Sequence, residues 1–428
     1  MTVSTQEEPE VSSRKAVAAV APAPAAAASA YDLSFWEAYV ANTALVVANS
    51  LLFRYSDFVS FHGGTEFELG LIVGLGMVGS LCMRLAQGVG IDRYGARQIW
   101  LWSLALNFVT LLAHLLLTEV HGPAVYLLRI AYMTSVAGAF GASITAVSRR
   151  VPIERMAEII GTLGTSGFLG MMLGPAIGDL ISGGAPVKHH ELVAMFATAA
   201  GLSLVSFVAT WLATRKDARP LATRPAPPLL GLLRRYHPGA IMLAAAAMGF
   251  GLALPTVFLR PFAQSINLDR IAVFFAVYAP AAFAVRVLMR PMPERYGNRP
   301  LILVGFAALI GSVLAFLWVT QPWQLCLPAV LMGTSHALLF PTITAEGASA
   351  FPDRYRGLGT TVMLAMLDLG QLVGAPAVGG LLKAAEAARL PAYPTMFAAV
   401  ALVLTSIVVL YAALSRKPNE APVASVRR

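Results

Sequence analysis

Charge is scarce in this chain. Only 12% of its 428 residues are Asp, Glu, Lys or Arg, against 57% hydrophobic. Soluble domains carry about a quarter charged residues, so a soluble fold here would be one very large core almost without a polar shell. Cysteine is nearly absent as well. Cys82 and Cys326 both fall in apolar segments, which argues against a disulfide or metal pair and predicts two small buried side chains. The sequence has no nucleotide-binding loop, no His-rich metal cluster and no nucleophile motif. His189 and His190 stand in a loop with no Cys nearby and one adjacent acid, Glu191, too few groups for a metal site. Neither cofactor nor metal is expected, and a membrane enzyme finds no support. The net charge of +9 invites a nucleic-acid partner. The basic residues fall mostly in alternate loops, however, as the positive-inside rule requires of a membrane protein, so no nucleic acid is expected.

Apolar runs near twenty residues long are plentiful, and they indicate an all-α polytopic membrane protein. Spans are expected at 36–58, 67–86, 99–117, 123–147, 159–181, a sixth ending near 213, 240–259 (interrupted by Pro255), 271–289, 301–319, 324–345, 359–382 and 394–414. About twelve helices with both termini cytoplasmic satisfy the charge bias. The organisation reads as a tail at 1–33, a six-helix unit at 34–213, a basic Pro-rich cytoplasmic linker at 214–238, a second six-helix unit at 239–415 and a tail at 416–428. Ala28-Ser29-Ala30 imitates a signal-peptidase site. The preceding tract contains Pro22 and Pro24 and neither Leu nor Phe, so a disordered cytoplasmic tail is the preferred reading over a cleaved signal. Residues 229–236 form a short amphipathic piece suited to the membrane surface.

The chain also repeats itself. Gly88-Val89-Gly90-Ile91-Asp92-Arg93-Tyr94-Gly95-Ala96-Arg97 lies between the second and third spans. About two hundred residues on, Arg290-Pro291-Met292-Pro293-Glu294-Arg295-Tyr296-Gly297-Asn298-Arg299 restores its acid-Arg-Tyr-Gly-x-Arg order, and Arg84 aligns with Arg286 upstream. A second echo links Gly170-Met171-Met172-Leu173-Gly174-Pro175 to Gly370-Gln371-Leu372-Val373-Gly374-Ala375-Pro376, with one residue inserted before the proline.

The first loop resembles the motif that marks the major facilitator superfamily between its second and third helices. Gly88, Asp92, Arg93, Gly95 and Arg97 occupy the motif positions, and Ala96 replaces a frequent basic residue. Helix four resembles the second motif of that family through Arg129 alone. Helix five resembles the motif of its proton-linked efflux members through Gly170, Gly174, Pro175 and Gly178, with Asp179 in place of a frequent glycine. The resemblance implies two pseudo-symmetric six-helix bundles around a central cavity. Helices one, four, seven and ten would line it, helices two, five, eight and eleven would form the seam, and one bundle would rock against the other. It implies proton-coupled efflux of a small organic solute across the cytoplasmic membrane. Two alternatives stay open: proton-coupled uptake of a small anionic metabolite, and a non-transporting sensor or assembly factor on the same fold. The partners expected are the solute, protons and the bilayer, and the chain is taken as a monomer.

The candidate residues follow. Asp92 is expected to cap the start of helix eleven as part of a cytoplasmic latch, with Arg93 and Arg97 at the rim. Gly88 and Gly95 would allow close passage and a tight turn. Glu294, Arg295, Gly297 and Arg299 form the weaker twin. The alternative is a plain topology signal. Charges inside spans are costly and therefore functional candidates. Arg54 and Asp57, three apart, can pair for substrate or proton binding, or merely anchor a helix end. Arg129 is a substrate or relay candidate. Asp368, deep in helix eleven with Gln371 one turn on, is the chief proton-carrier candidate. His336 is a second titrating candidate or a bonded core residue. Asn42, Asn49, Tyr132 and Thr256 are candidate cavity polar residues, though each alone is better explained by packing than by recognition.

Overall fold

A helix satisfies every backbone hydrogen bond within its own segment, which is what long apolar runs require in lipid. The computed structural model describes residues 31–151, 153–184, 186–217, 229–352 and 355–415. Residues 1–30 of the tail expected at 1–33, the tail at 416–428 and the centre of the linker lie outside the described residues. Helix α1 spans Leu33–Leu51 and continues through a 3-10 turn at Leu52–Arg54 into Tyr55–Phe61. There follow α2 (Glu66–Tyr94), α3 (Ala96–Ala113), α4 (Pro123–Ser148), α5 (Ile153–Ile181) and α6 (His189–Thr214). After the short helix Leu229–Arg235, where the amphipathic piece was expected, come α7 (Ile241–Ala253) and α8 (Ala272–Leu288). The last four are α9 (Asn298–Ala315), α10 (Cys326–Ser349), α11 (Arg356–Ala387) and α12 (Ala392–Leu414). Ten of these helices are long and apolar enough to cross a membrane, and Ala272–Leu288 is a shorter apolar one. The run that begins with α1 is more polar, and the site built from its polar residues is described below.

Three local features depart from the sequence reading. The first motif is scarcely a loop. Helix α2 runs on through Asp92, Arg93 and Tyr94, and Gly95 alone separates it from α3. Nothing between Gly88 and Tyr94 forbids a helix, and only Gly95, at φ 88°, takes a conformation that L side chains resist. Gly297, at φ 76°, makes the same joint after the short helix Met292–Tyr296. Second, the interruption expected at Pro255 is present but does not break the helical run. Pro255 sits in a π turn at Leu254–Phe258, after which the helix resumes over Leu259–Ser265. Third, Cys82 is exposed and Cys326 only partly buried. A membrane helix buries only the face that its neighbours cover, so an apolar sequence context does not imply burial.

The first six helices and the last six pack chiefly among themselves, and α2 on α11 and α5 on α8 join the two halves. Glycines let α2 and α11 touch. A Cβ at Gly74 would overlap Pro376, at 2.6 Å from its Cγ, and one at Gly379 would reach the Glu66 carbonyl at 2.6 Å. The glycines of the helix-five motif serve a different contact. Gly170, Gly174 and Gly178 face Val46, Ser50 and Arg54 of the first helical run, where a Cβ would lie 2.5, 2.6 and 2.8 Å from the nearest side-chain atom. They close a contact inside the first half, between α5 and the first helical run.

Candidate functional site

Polar groups join the halves at two levels. The first is the end of the bundle opposite the chain termini. Arg54, at the turn that breaks the first helical run, donates from Nε to Asp57 at 2.8 Å, from Nη1 to Asp179 at 2.6 Å and from Nη2 to Ser182 at 2.6 Å. From the other half, Arg260 Nε donates to Asp57 at 3.0 Å and Gln264 Nε2 to the same oxygen at 3.2 Å. Arg260 Nη1 and Arg54 Nη1 share the Asp269 carbonyl at 2.7 and 3.4 Å. Asp179 also accepts from the Ala272 amide, at the start of α8, at 2.7 Å. Arg54, Asp57 and Arg260 are 1%, 2% and 0% exposed, so this is a buried, charge-balanced lock and not an interfacial anchor. The expected Arg54–Asp57 pair forms its centre. The sequence reading missed Arg260, and it treated Asp179 only as a replaced glycine. Arg260 was accessible: an apolar pair precedes an Arg late in the first helical run (Leu52-Phe53-Arg54) and in the seventh (Phe258-Leu259-Arg260) alike.

The second level is at mid-depth, on the α2–α11 seam. Asp368 accepts from Arg84 Nε at 2.5 Å and Nη2 at 3.2 Å, and from Ser80 Oγ at 2.5 Å. The partners of Asp368 are therefore Arg84 and Ser80, across the seam, and not Gln371 on its own helix. Fixing which face of α2 meets α11 needs the tertiary structure, because sequence spacing within one helix cannot set the azimuth of another.

The pseudo-symmetric mate of this pair is different. Arg84 corresponds to Arg286 in α8, and alignment of Gly370 with Gly170 puts Phe168 of α5 where α11 has Asp368. The Arg286 guanidinium lies over the Phe168 ring, 5.0 Å from its centroid. Beside it, the Tyr278 hydroxyl bonds His336 Nδ1, and His336 meets the edge of Phe168 at 6.0 Å. His336 is thus bonded within the C-terminal half while facing the N-terminal one. The sequence signal for Arg286 was its alignment with Arg84, and Tyr278 had no signal.

Arg129 is 6% exposed, and its cationic carbon stands 4.4 Å from the Tyr55 ring and 4.9 Å from Tyr132. Its Nε and Nη1 have no hydrogen-bond partner. The ring faces compensate part of its charge. Tyr132 donates to Asn49 at 2.8 Å, Asn42 donates to Ser166 at 2.6 Å, and Thr256 returns its hydroxyl to the Leu252 carbonyl at 3.0 Å. Asn42 and Tyr132 are buried, so they sit in helix contacts and not on an open cavity wall.

At the termini end the expected latch is not closed. Asp92 pairs with Arg149 at 3.7 Å, both well exposed, instead of capping the start of α11. Arg93 is exposed and Arg97 half-buried. Nothing lies within 4 Å of a Cβ placed on Gly88, so no helix passes close there. In the twin motif Arg299 donates to Ser415 Oγ at 3.0 Å and to the Ala412 carbonyl at 2.9 Å, within its own half. Glu294 and Arg295 are exposed. Among the described residues, no hydrogen bond or ion pair shown for these two motifs crosses between halves.

Comparison with known proteins bears on this arrangement. The family model described as Major Facilitator Superfamily matches residues 27–375 and 239–428. Multidrug resistance protein MdtG of Salmonella paratyphi C (strain RKS4594) is 23% identical over 255 residues, 57% of this chain and 61% of the relative; the MdtG of Salmonella typhi matches over the same length. The match thus spans about three-fifths of the length of these curated relatives. Among solved structures, the nucleoside transporter NupG superposes with a TM-score of 0.73 at 13% identity, covering 90% of this chain and 100% of that one. A bacterial homologue of the human lysosomal transporter Spinster, in an inward-facing unoccupied conformation, gives 0.69 at 15% identity over 89% and 95%. A D-xylose–proton symporter gives 0.64 at 14% identity over 87% and 95%. At these identities the structural likeness concerns the fold.

Proposed function

Because this chain belongs to the major facilitator superfamily, we propose that it exports a small organic solute across the cytoplasmic membrane in exchange for protons. The observation that carries the reading is the uneven tying of the halves. A buried lock of Arg54, Asp57, Asp179 and Arg260 holds one end, the Arg84–Asp368 pair holds mid-depth, and the two motif loops at the termini end are left apart. With the termini end cytoplasmic, as its Arg-rich loops favour, this is the inward-open limb of an alternating-access cycle. Export is favoured by the helix-five motif and by the drug-resistance names of the MdtG relatives.

In this reading Asp368 carries the proton. Protonation removes the charge that holds Arg84, the seam loosens, and deprotonation restores the link. The bond at stake is charge-assisted, worth about 1.5–3 kcal/mol, or roughly ten- to a hundredfold in an equilibrium. The test uses proteoliposomes with an imposed pH gradient and a panel of drugs, nucleosides, sugars and organic acids. Asp368→Asn is expected to lower gradient-driven accumulation about tenfold or more while leaving gradient-free exchange in place. Accumulation that ignores the gradient in the wild type, or persists unchanged in Asp368→Asn, refutes the coupling. The second reading is uptake of an anionic metabolite. It is favoured by the unpartnered Nε and Nη1 of Arg129, and the direction of gradient-driven flux separates the two.

A further inference from the structure

The two pseudo-symmetric seams are chemically unequal. On α2–α11 a guanidinium, Arg84, meets a carboxylate, Asp368. On α8–α5 the equivalent guanidinium, Arg286, meets the ring of Phe168 at 5.0 Å. Arg286 Nε is buried and has no hydrogen-bond partner. A ring face compensates a cation only in part, and a membrane span keeps an unmatched arginine at a cost.

There is room beside it. A Cβ on Gly164 of α5 would meet Arg286 Nη1 alone, at 3.8 Å, and on Gly161 or Gly167 it would meet nothing within 4 Å. This glycine face sits in the half of α5 toward the termini end, where the motif loops leave the halves apart. Phe168 covers one face of the guanidinium, and Nη1 is the atom that borders the open space at Gly164. The Tyr278–His336 bond and the Phe168 ring form an apolar, aromatic wall beside the guanidinium.

We infer that Arg286 binds a carboxylate of the transported solute, which takes the place that Asp368 holds on the other seam, with Phe168, Tyr278 and His336 against the solute's apolar body. A planar guanidinium presents two parallel N–H groups to a carboxylate, which a lysine cannot do. The solute class is therefore an organic acid with an aromatic or apolar body. The inference rests on the transporter reading above.

The test is thermal unfolding of detergent-purified protein with organic acids, each paired with its own neutral amide: benzoate with benzamide, nicotinate with nicotinamide, indole-3-acetate with its amide, and so through a broad panel. At least one acid is expected to stabilise the wild type while its amide does not. Arg286→Gln and Phe168→Asp should abolish that response, the second because its new carboxylate fills the place internally. Arg286→Lys keeps charge and stem, and it should weaken binding about tenfold through loss of the paired geometry. It decides the matter if Arg286→Gln does not fold.

Several outcomes overturn the inference: equal stabilisation by acid and amide, a response retained in Arg286→Gln, no acid active on the wild type, or stabilisation by phosphatidylglycerol micelles alone. Failure of the transporter reading is separate. In that case wild-type proteoliposomes move no member of the panel, charged or neutral, whereas failure of this inference alone leaves transport that does not distinguish acid from amide.

Discussion

Replacing Asp57 with alanine is expected to open the lock end of the bundle. Asp57 is 2% exposed and accepts hydrogen bonds from Arg54, Arg260 and Gln264. Without it, Arg54 keeps Asp179, but Arg260 keeps only the Asp269 carbonyl, and two buried guanidiniums face each other. Breaking a buried ion pair by removing one partner costs about 3–5 kcal/mol, roughly a hundred- to several-thousand-fold in an equilibrium. The cost falls on the arrangement with this end closed, because an open end would let water reach both arginines. The populations must therefore shift toward the open arrangement. Spin labels at Phe61 and Ser265, one in each half at this end, with both native cysteines removed, should report a longer distance in Asp57→Ala. Asp57→Asn keeps the shape and loses only the charge, so its widening should be smaller. An unchanged distance distribution in Asp57→Ala would mean that apolar packing, and not the ion lock, closes this end.

The second large effect is on stability and concerns a glycine. A Cβ on Gly370 would overlap the Ala246 carbonyl and stand 2.9 Å from the Phe250 amide nitrogen, both of them backbone atoms of α7. Backbone cannot turn aside as a side chain can, so α11 would have to lift off α7. Overpacking costs about 1–3 kcal/mol and sometimes more, and Gly370→Ala is expected at or above the top of that range. Gly167, on α5, is the internal control: nothing lies within 4 Å of its added Cβ. There alanine should gain about 0.5–1 kcal/mol from the lower backbone entropy of the unfolded chain. Unfolding midpoints measured side by side in one detergent should move in opposite directions. A midpoint in Gly370→Ala that does not fall would show that packing at Gly370 is looser than its contacts imply.

What was legible in the sequence followed from periodicity and repetition. Apolar run lengths located the helices, and the repeated acid-Arg-Tyr-Gly-x-Arg order placed Gly95 and Gly297 at equivalent joints. The Arg54–Asp57 pair was readable because both partners lie on one turn of chain. The Arg84–Asp368 pair was not, since its members lie in different halves and nothing local fixes how two helices face each other. Asp92 misled for a related reason. The resemblance implies a contact with α11, a different helix of the other half, and here Asp92 meets Arg149 of its own half. Arg286 was visible only as an alignment mark. Its interest arises from what stands opposite it, a phenylalanine where symmetry would put an acid.

The joints at Gly95 and Gly297 have a mechanical consequence. Each connects two helices through a single residue with positive φ. A connector that short can swivel but cannot stretch, so a displacement of α2 passes directly into α3, and a displacement of the segment after α8 passes into α9. A long, slack loop would absorb the displacement instead. Two such pivots at the same end make each half behave as a braced frame, and inserting a few flexible residues at either one would turn a rigid strut into a loose hinge.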